Sequence, residues 1–318
     1  MPHAMPPAVV SLLYVVFLPG FLCVGGLAMQ WFDRKVYARL QHRVGPPWFQ
    51  PVADSLKLLT KEDIVPEGAD AFLFRAVPLF ALAGAVTAFF YVPLWGQHAL
   101  YAFEGDLVVV LYLLTIPTLC FFLGGWFSTS LFATIGSVRT LTSLFAYEVP
   151  LFIALLGPAL LAGTWSLSGM TAFYGAHPLL PLLNLPGLAV ALVALLGKLE
   201  KAPFDIPEAE TELAGGTFTE YSGKLLALFR MTLDAEAVVA AALLSAVFLP
   251  WGLALWWPLA WAVSALKILL VIALMALART VLARMRLEQM VDFCWRWLAP
   301  AALVQLVVTV VVNGALTP

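Results

Sequence analysis

Charge is scarce in this chain. Only 11% of its 318 residues are Asp, Glu, Lys or Arg, against roughly 25% in a soluble domain. Hydrophobic residues make up 62%, and the mean hydropathy is +0.94. Those values exclude a soluble globular domain and point to an integral membrane protein. Cysteine is nearly absent as well: Cys23, Cys120 and Cys294 lie far apart in apolar surroundings, and no CxxC occurs. An iron–sulfur cluster or a structural zinc site therefore has no ligand set. His3, His42, His98 and His177 are equally scattered, without metal-ligand spacing. No Walker loop, no GxGxxG after a strand and no GxSxG is present, so no catalytic constellation can be named.

What the chain has in quantity is apolar sequence. Runs of about 20 residues suffice to cross a bilayer, and they occur at about 9–30, 72–95, 107–128, 138–162, 185–203, 225–249, 255–280 and 297–316. An all-α membrane protein of about eight spans follows, because backbone groups in lipid must be satisfied within their own segment. Residues 1–318 read as a single multi-span domain. Met1 to Gln30 lacks a basic segment ahead of its apolar run and reads as a retained first span. Of the 17 basic residues, all but Lys267 fall in the loops or flanks after spans one, three, five and seven. By the positive-inside rule those loops are cytoplasmic and both termini face outward, in the inner membrane of a prokaryotic cell.

The loop Lys198 to Lys224 stands out against this background. It holds Glu200, Asp205, Glu208, Glu210, Glu212 and Glu220, nearly a third of the 19 acidic residues. Pro203 and Pro207 are expected to break any helix continuing from span five. Glu208 and Glu212 would share one face of a helix, or Glu208, Glu210 and Glu212 one side of an extended segment. Either arrangement raises at least one carboxyl pKa by like-charge proximity. Phe204, Ile206, Leu213, Phe218 and Tyr221 are interleaved with the acids, so the loop should pack against something, and Gly215–Gly216 permits a sharp return. Inside the spans themselves lie Glu148, Lys267, Asp234 and Glu236. An ionisable residue there is a functional candidate by default, although Glu148 and Lys267 would also suit one structural ion pair. Gln50 to Asp63 reads as an amphipathic helix, with Val52, Leu56 and Leu59 on one face and Ile64 farther on.

Here the chain resembles a known family. KAPFDIPEAETELAGGTFTEYSG (201–223) is similar to the central loop of the membrane-arm H-type subunit of respiratory complex I, the NADH dehydrogenase subunit 1 family. It also resembles the counterpart in energy-converting membrane-bound nickel–iron hydrogenases and formate hydrogenlyase. RKVYARLQHRVGP with QPVADSLKLLTKEDIVP (34–66), SLFAYEVPLFIALLG (143–157), Lys267 and RTVLARMRLEQM (279–290) agree in the same order. The resemblance implies a subunit without a redox centre, coupling electron transfer in a cytoplasmic module to proton or sodium movement. Its implied path residues are Glu148, Asp205, Glu208, Glu210, Glu212 and Glu220, with Lys267, Asp234 and Glu236 as candidates from their position in the spans. Arg34, Arg43, Arg139, Arg279, Arg284 and Arg286 are the expected basic interface. Iron–sulfur clusters and a nickel–iron centre would belong to partner subunits. Those partners would be hydrogenase-like large and small subunits, an iron–sulfur subunit and antiporter-like membrane subunits, with ferredoxin or formate supplying electrons. The chain lacks the N-x-V-G-P segment usual before Q-P in complex I. It reads Lys198–Leu199–Glu200–Lys201 where complex I members usually read E-T-N-R, and Leu233 stands where their span-six glutamate is expected. These departures favour the hydrogenase branch; the alternative is a quinone-chamber subunit of NADH:quinone oxidoreductase.

Overall fold

The computed structural model describes residues 7–94, 99–208, 210–252 and 257–316, with the side chains of 7–16, 210–211, 257–258 and 315–316 outside that description. Helices and turns make up the described residues, with no strand among them. In chain order the helices are α1 (Pro7–Leu40), α2 (Gln50–Leu59), α3 (Ala71–Phe89), α4 (Asp106–Phe127), α5 (Leu131–Ala162) and α6 (Leu167–Ala176). They continue with α7 (Leu185–Lys198), the single turn α8 (Glu210–Leu213), α9 (Gly223–Phe248), α10 (Trp257–Val281), α11 (Leu287–Phe293) and α12 (Ala299–Leu316). Among the described residues, seven helical stretches are long and apolar enough to cross a membrane: α3, α4, α5, α7 with its leading turn, α9, α10, and α11 continuing into α12. The expected first span lies within the 34-residue α1.

Local chemistry sets the boundaries. The Asp70 side chain accepts from the amides of Phe72 and Leu73 to start α3, the usual N-cap arrangement. Pro51 opens α2, where a missing N–H costs nothing. Several limits differ from expectation. Helix α3 stops at Phe89 instead of reaching 95, and α5 begins at Leu131, a full two turns before 138. The final span begins ten residues early as α11, joined to α12 by a π turn. Helix α2 ends at Leu59, short of Asp63, and α6 has no counterpart in the apolar runs.

The end of α7 is the most informative correction. The helix terminates at Lys198, before either proline. The amide of Glu200 donates to Gly197 and that of Lys201 to Leu196, the paired closure of a Schellman motif. Glu200 itself has φ +49°. That position normally falls to glycine, since a left-handed residue with a Cβ costs roughly 1–2 kcal/mol. A carboxylate held there is strain of the kind found at functional positions.

Helix α9 is the hub. It packs against α1, α3, α4, α7 and α10, and every residue from Ala235 to Phe248 is buried. The outer helices α10 and α12 leave most of their length exposed to the surroundings. The 216–221 segment is pinned by stacked rings: Phe74 lies 4.0 Å from Tyr221 at 1°, and Phe229 stands edge-on to Tyr221 at 4.8 Å. Phe204, Ile206, Leu213, Phe218 and Tyr221 are all buried, so the acidic loop is packed down onto the helices.

Ion pairs tie the charged loops together at one end of the bundle. Arg34 meets Asp54 at 2.9 Å, Arg139 meets Glu212 at 2.8 Å, and Arg284 meets Asp205 at 3.1 Å. The Lys224 amide donates to Asp63 at 2.6 Å. The loops grouped by their basic residues therefore do share one end. Close approach at that end requires glycine. A Cβ on Gly136 would lie 2.6 Å from the Thr217 amide nitrogen, and one on Gly216, at φ +54°, would collide with the Pro207 carbonyl. Gly216→Ala is expected to cost about 2 kcal/mol or more. Its check is the amount of assembled subunit in membranes, which should fall well below that of an exposed Ala214→Gly control.

Candidate functional site

Four elements meet around a chamber of about 420 Å³: the C-terminal part of α1, the start of α9, the end of α10 and the stretch 199–208. Its wall carries Asp33, Arg34, Glu200, Lys201, Asp205, Glu208, Arg230, Asp234 and Arg279. Charges of both signs are matched there. Asp33 is buried and takes both Lys201 at 2.9 Å and Arg279 at 2.8 Å, while the Arg279 guanidinium lies 4.5 Å above the Tyr37 ring. Glu208 meets Arg230 at 2.8 Å. Both oxygens of Asp234 accept from Gln30 at 2.9 Å. Gly26 lets α1 approach this residue, since a Cβ there would be 3.2 Å from the Asp234 Cβ.

Glu200 differs from its neighbours. It lines the chamber, is buried and makes no ion pair; its carboxyl oxygens have no well-directed hydrogen bond, though the Thr140 side chain lies close enough to favour the charged form. Burial pushes its pKa up to about 8, and the charges of Glu208 and Glu236 raise it while Arg230 opposes them. Burial therefore favours the protonated form of Glu200. The unfolded chain binds no proton there above about pH 4.5, so the folded state loses stability as pH rises towards 8. The Tm of the detergent-solubilised protein is expected to fall between about pH 5 and about pH 9, with a flatter profile in Glu200→Gln. Parallel profiles would contradict this.

A second group of buried ionisable side chains is centred on Lys198, two residues before Glu200. Lys198 Nζ lies 3.1 Å from Glu236 Oε1, with side-chain exposures of 3% and 0%. The same ammonium donates to the Leu114 carbonyl at 2.5 Å and stands 5.9 Å from the Tyr147 ring centroid. Tyr147 in turn shares a 3.2 Å hydrogen bond with Thr118. Glu148, the next residue along α5, lines with Lys198 a gap of about 10 Å³ that is otherwise mostly leucine. A buried ion pair in such surroundings persists only with close partners.

The sequence-based candidates thus separate. Asp205, Glu208, Asp234, Arg34 and Arg279 line the chamber, while Glu148 and Glu236 lie beside Lys198. Glu208 and Glu212 share neither a helix face nor an extended segment: each pairs with its own arginine. Like-charge proximity is accordingly not what governs Glu212, whose pKa is lowered by the Arg139 guanidinium. Arg139, Arg284, Arg286 and Glu212 line a separate surface cavity of about 430 Å³. Glu220 is half-buried and does not line the chamber, Arg43 is exposed in the turn after α1, and the side chain of Glu210 lies outside the described residues. Lys267 does not pair with Glu148. It reaches the Leu249 carbonyl at 2.7 Å, at the C-terminal end of α9, where a cation suits the helix dipole. Asp33 and Lys198 are not among the sequence-based candidates, and Glu200 is named there only as one of the loop acids. Asp33 is the sole acid in the first 50 residues, and Lys198 follows an apolar run directly. Those are the signals that mark them.

Comparison with known proteins agrees with this architecture. A family model described as NADH dehydrogenase matches residues 12–310. The H-type subunit of NADH-quinone oxidoreductase from Dehalococcoides mccartyi strain CBDB1 is 33% identical over 305 residues, covering 94% of this chain and 85% of the relative. NADH-quinone oxidoreductase subunit 8 of Thermus thermophilus is 35% identical over 319 residues, covering 94% and 87%. Among solved structures, a chain of the membrane-bound sulfane sulfur reductase, an archaeal respiratory membrane complex, superimposes with a TM-score of 0.83 at 25% identity, covering 94% of this chain and 99% of that one. With a match that runs through all the spanning helices and the acidic loop between α7 and α9, this chain belongs to the NADH dehydrogenase family.

Proposed function

We propose that this chain is the membrane subunit of a redox-driven respiratory complex, anchoring a cytoplasmic redox module and coupling its electron transfer to proton or sodium movement. The observation that carries the reading is the run of ionisable groups from the chamber wall at Glu200 to the enclosed Lys198–Glu236 pair and Glu148. Ionisable groups inside a membrane protein are costly and mark ion pathways. A redox event beside the 198–224 loop would shift charge near Glu200, Glu208 and Asp234. Proton occupancy at Glu236 and Glu148 would follow, and ions would pass laterally to antiporter-like membrane subunits.

The basic loops face the cytoplasm in this reading, both termini face outward, and residues 1–318 act as one membrane domain of a prokaryotic inner membrane. The chain itself holds no redox centre. Iron–sulfur clusters and a nickel–iron or related centre belong to hydrogenase-like partners. The test is the intact complex reconstituted in sealed vesicles, driven by its electron donor. An uncoupler-sensitive ion gradient is expected, and turnover without any gradient would contradict the proposal.

A second reading, the quinone-chamber subunit of an NADH:quinone oxidoreductase, is favoured by the names of the sequence relatives. The chamber's lining of nine charged side chains argues against it, because small-molecule pockets are predominantly apolar. Bound quinone in the purified complex, or inhibition by quinone-site blockers, would favour this reading.

A further inference from the structure

Three arginines converge on the surface cavity of about 430 Å³ beside the acidic loop: Arg139 from α5, and Arg284 and Arg286 from the turn between α10 and α11. Their charges are only partly answered. Arg139 meets Glu212 through one nitrogen, and Arg284 meets Asp205. Arg286 is exposed and makes no ion pair among the described residues. A guanidinium presents its donors in a planar fork that matches phosphate oxygens, so Arg139 and Arg286 both keep donors for an oxyanion. The cavity lies at the end of the bundle that gathers the basic loops. Helices α11 and α12 pack along α5. About two turns past the cavity, Trp295 and Trp297 are exposed, and tryptophans in that setting mark where headgroups meet hydrocarbon. On α5, Val138 beside Arg139 and Phe145 farther into the span are exposed as well. The charged cavity therefore opens on the headgroup side of the tryptophans, with bare apolar surface leading from it towards hydrocarbon.

We propose that this cavity binds the phosphate of an anionic phospholipid from the surrounding leaflet. This rests on the membrane orientation proposed above and not on coupling. Basic pockets between spanning helices on the cytoplasmic side take such headgroups. The phosphate lies between Arg139 and Arg286, and its acyl chains run along Val138 and Phe145. Glu212 and Glu288 also line the cavity, and they select among phosphates. A free phosphate carries up to two negative charges and is repelled by them more strongly than a singly charged phosphodiester. The bound lipid ties α5 to the 284–286 turn. Through the Arg139–Glu212 and Arg284–Asp205 pairs it also steadies the acidic loop.

The probe is phosphatidylglycerol with a photoreactive acyl chain, added to the purified intact complex in detergent, with cross-linked peptides read by mass spectrometry. Labelling is expected on α5 between Val138 and Phe145 and on residues 284–297. Unlabelled phosphatidylglycerol should displace the probe, and phosphatidylcholine should require at least about fivefold more. Arg286→Gln, a change at an exposed position, should raise the displacing concentration of phosphatidylglycerol about fivefold or more. Lys57→Gln, exposed on α2, should leave it at the wild-type value. Equal displacement by phosphatidylcholine, or unchanged displacement in Arg286→Gln, would overturn the site. Displacement by inorganic phosphate at the same concentration as the lipid would overturn it too, in favour of a soluble anion. So would labelling that appears only after the cytoplasmic subunits are stripped away, since the cavity would then belong to an acidic protein partner. Turnover of the wild-type complex without an ion gradient would defeat the coupling role and leave the lipid result untouched.

Discussion

Glu236→Leu alone is expected to reduce the assembled subunit at least about tenfold, and adding Lys198→Met is expected to restore most of it. The single change leaves an ammonium 3% exposed with only the Leu114 carbonyl as a close partner. Removing one member of a buried ion pair typically costs about 3–5 kcal/mol, whereas replacing both by apolar groups is often neutral. Against a total stability of roughly 5–15 kcal/mol, the single loss is severe. Helix α9 makes it worse, because Glu236 lies where that hub is enclosed on every side and cannot turn its neighbour towards solvent. Membrane fractions probed for the subunit read both variants. Equal levels in the single variant and the wild type would mean that the pair is not a close ionic contact.

Glu148→Gln is the second large effect. Glutamine keeps the volume and polarity of the side chain but cannot take or release a proton at physiological pH. Glu148 is partly buried beside Lys198, with Tyr147 and leucines around it. Among the described residues no other carboxylate lines that gap, so no neighbouring acid is in place to substitute. Coupled ion movement is therefore expected to vanish while electrons still reach an artificial acceptor, and the variant should assemble because no charge is stranded. This outcome differs from that of Glu236→Leu, which acts through assembly. The two together separate coupling from the scaffold.

Most of the fold was legible in the sequence, because lipid permits little besides helices, and the basic residues group the loops by side. The apolar runs located the helices well but not their ends. Helix α5 starts ahead of its apolar run because Ala133, Gly136 and Ser137 on its first turns are buried, Gly136 against the Gly216–Thr217 backbone. Helix α7 ends early in the Schellman closure around left-handed Glu200, which leaves Lys198 on its last turn to meet Glu236, far along the chain on another helix. The acidic loop drew attention for its composition, yet Asp205, Glu208 and Glu212 are answered one by one by Arg284, Arg230 and Arg139. What distinguishes Glu200 is burial without an ion-pair partner, a property of the packed loop that spacing does not encode. Lys267, a candidate path residue from its place in mid-span, donates to the Leu249 carbonyl at the end of α9, a contact that its own sequence surroundings do not announce.

The most direct test is the number of ions moved per electron by the intact complex in sealed vesicles, compared between wild type, Glu148→Gln and the exposed control Asp292→Asn. The control lies in a surface pair with Arg296. A ratio near zero for Glu148→Gln with the control at the wild-type value is the predicted result. A wild-type ratio in Glu148→Gln would contradict a route for ions through the interior of this chain.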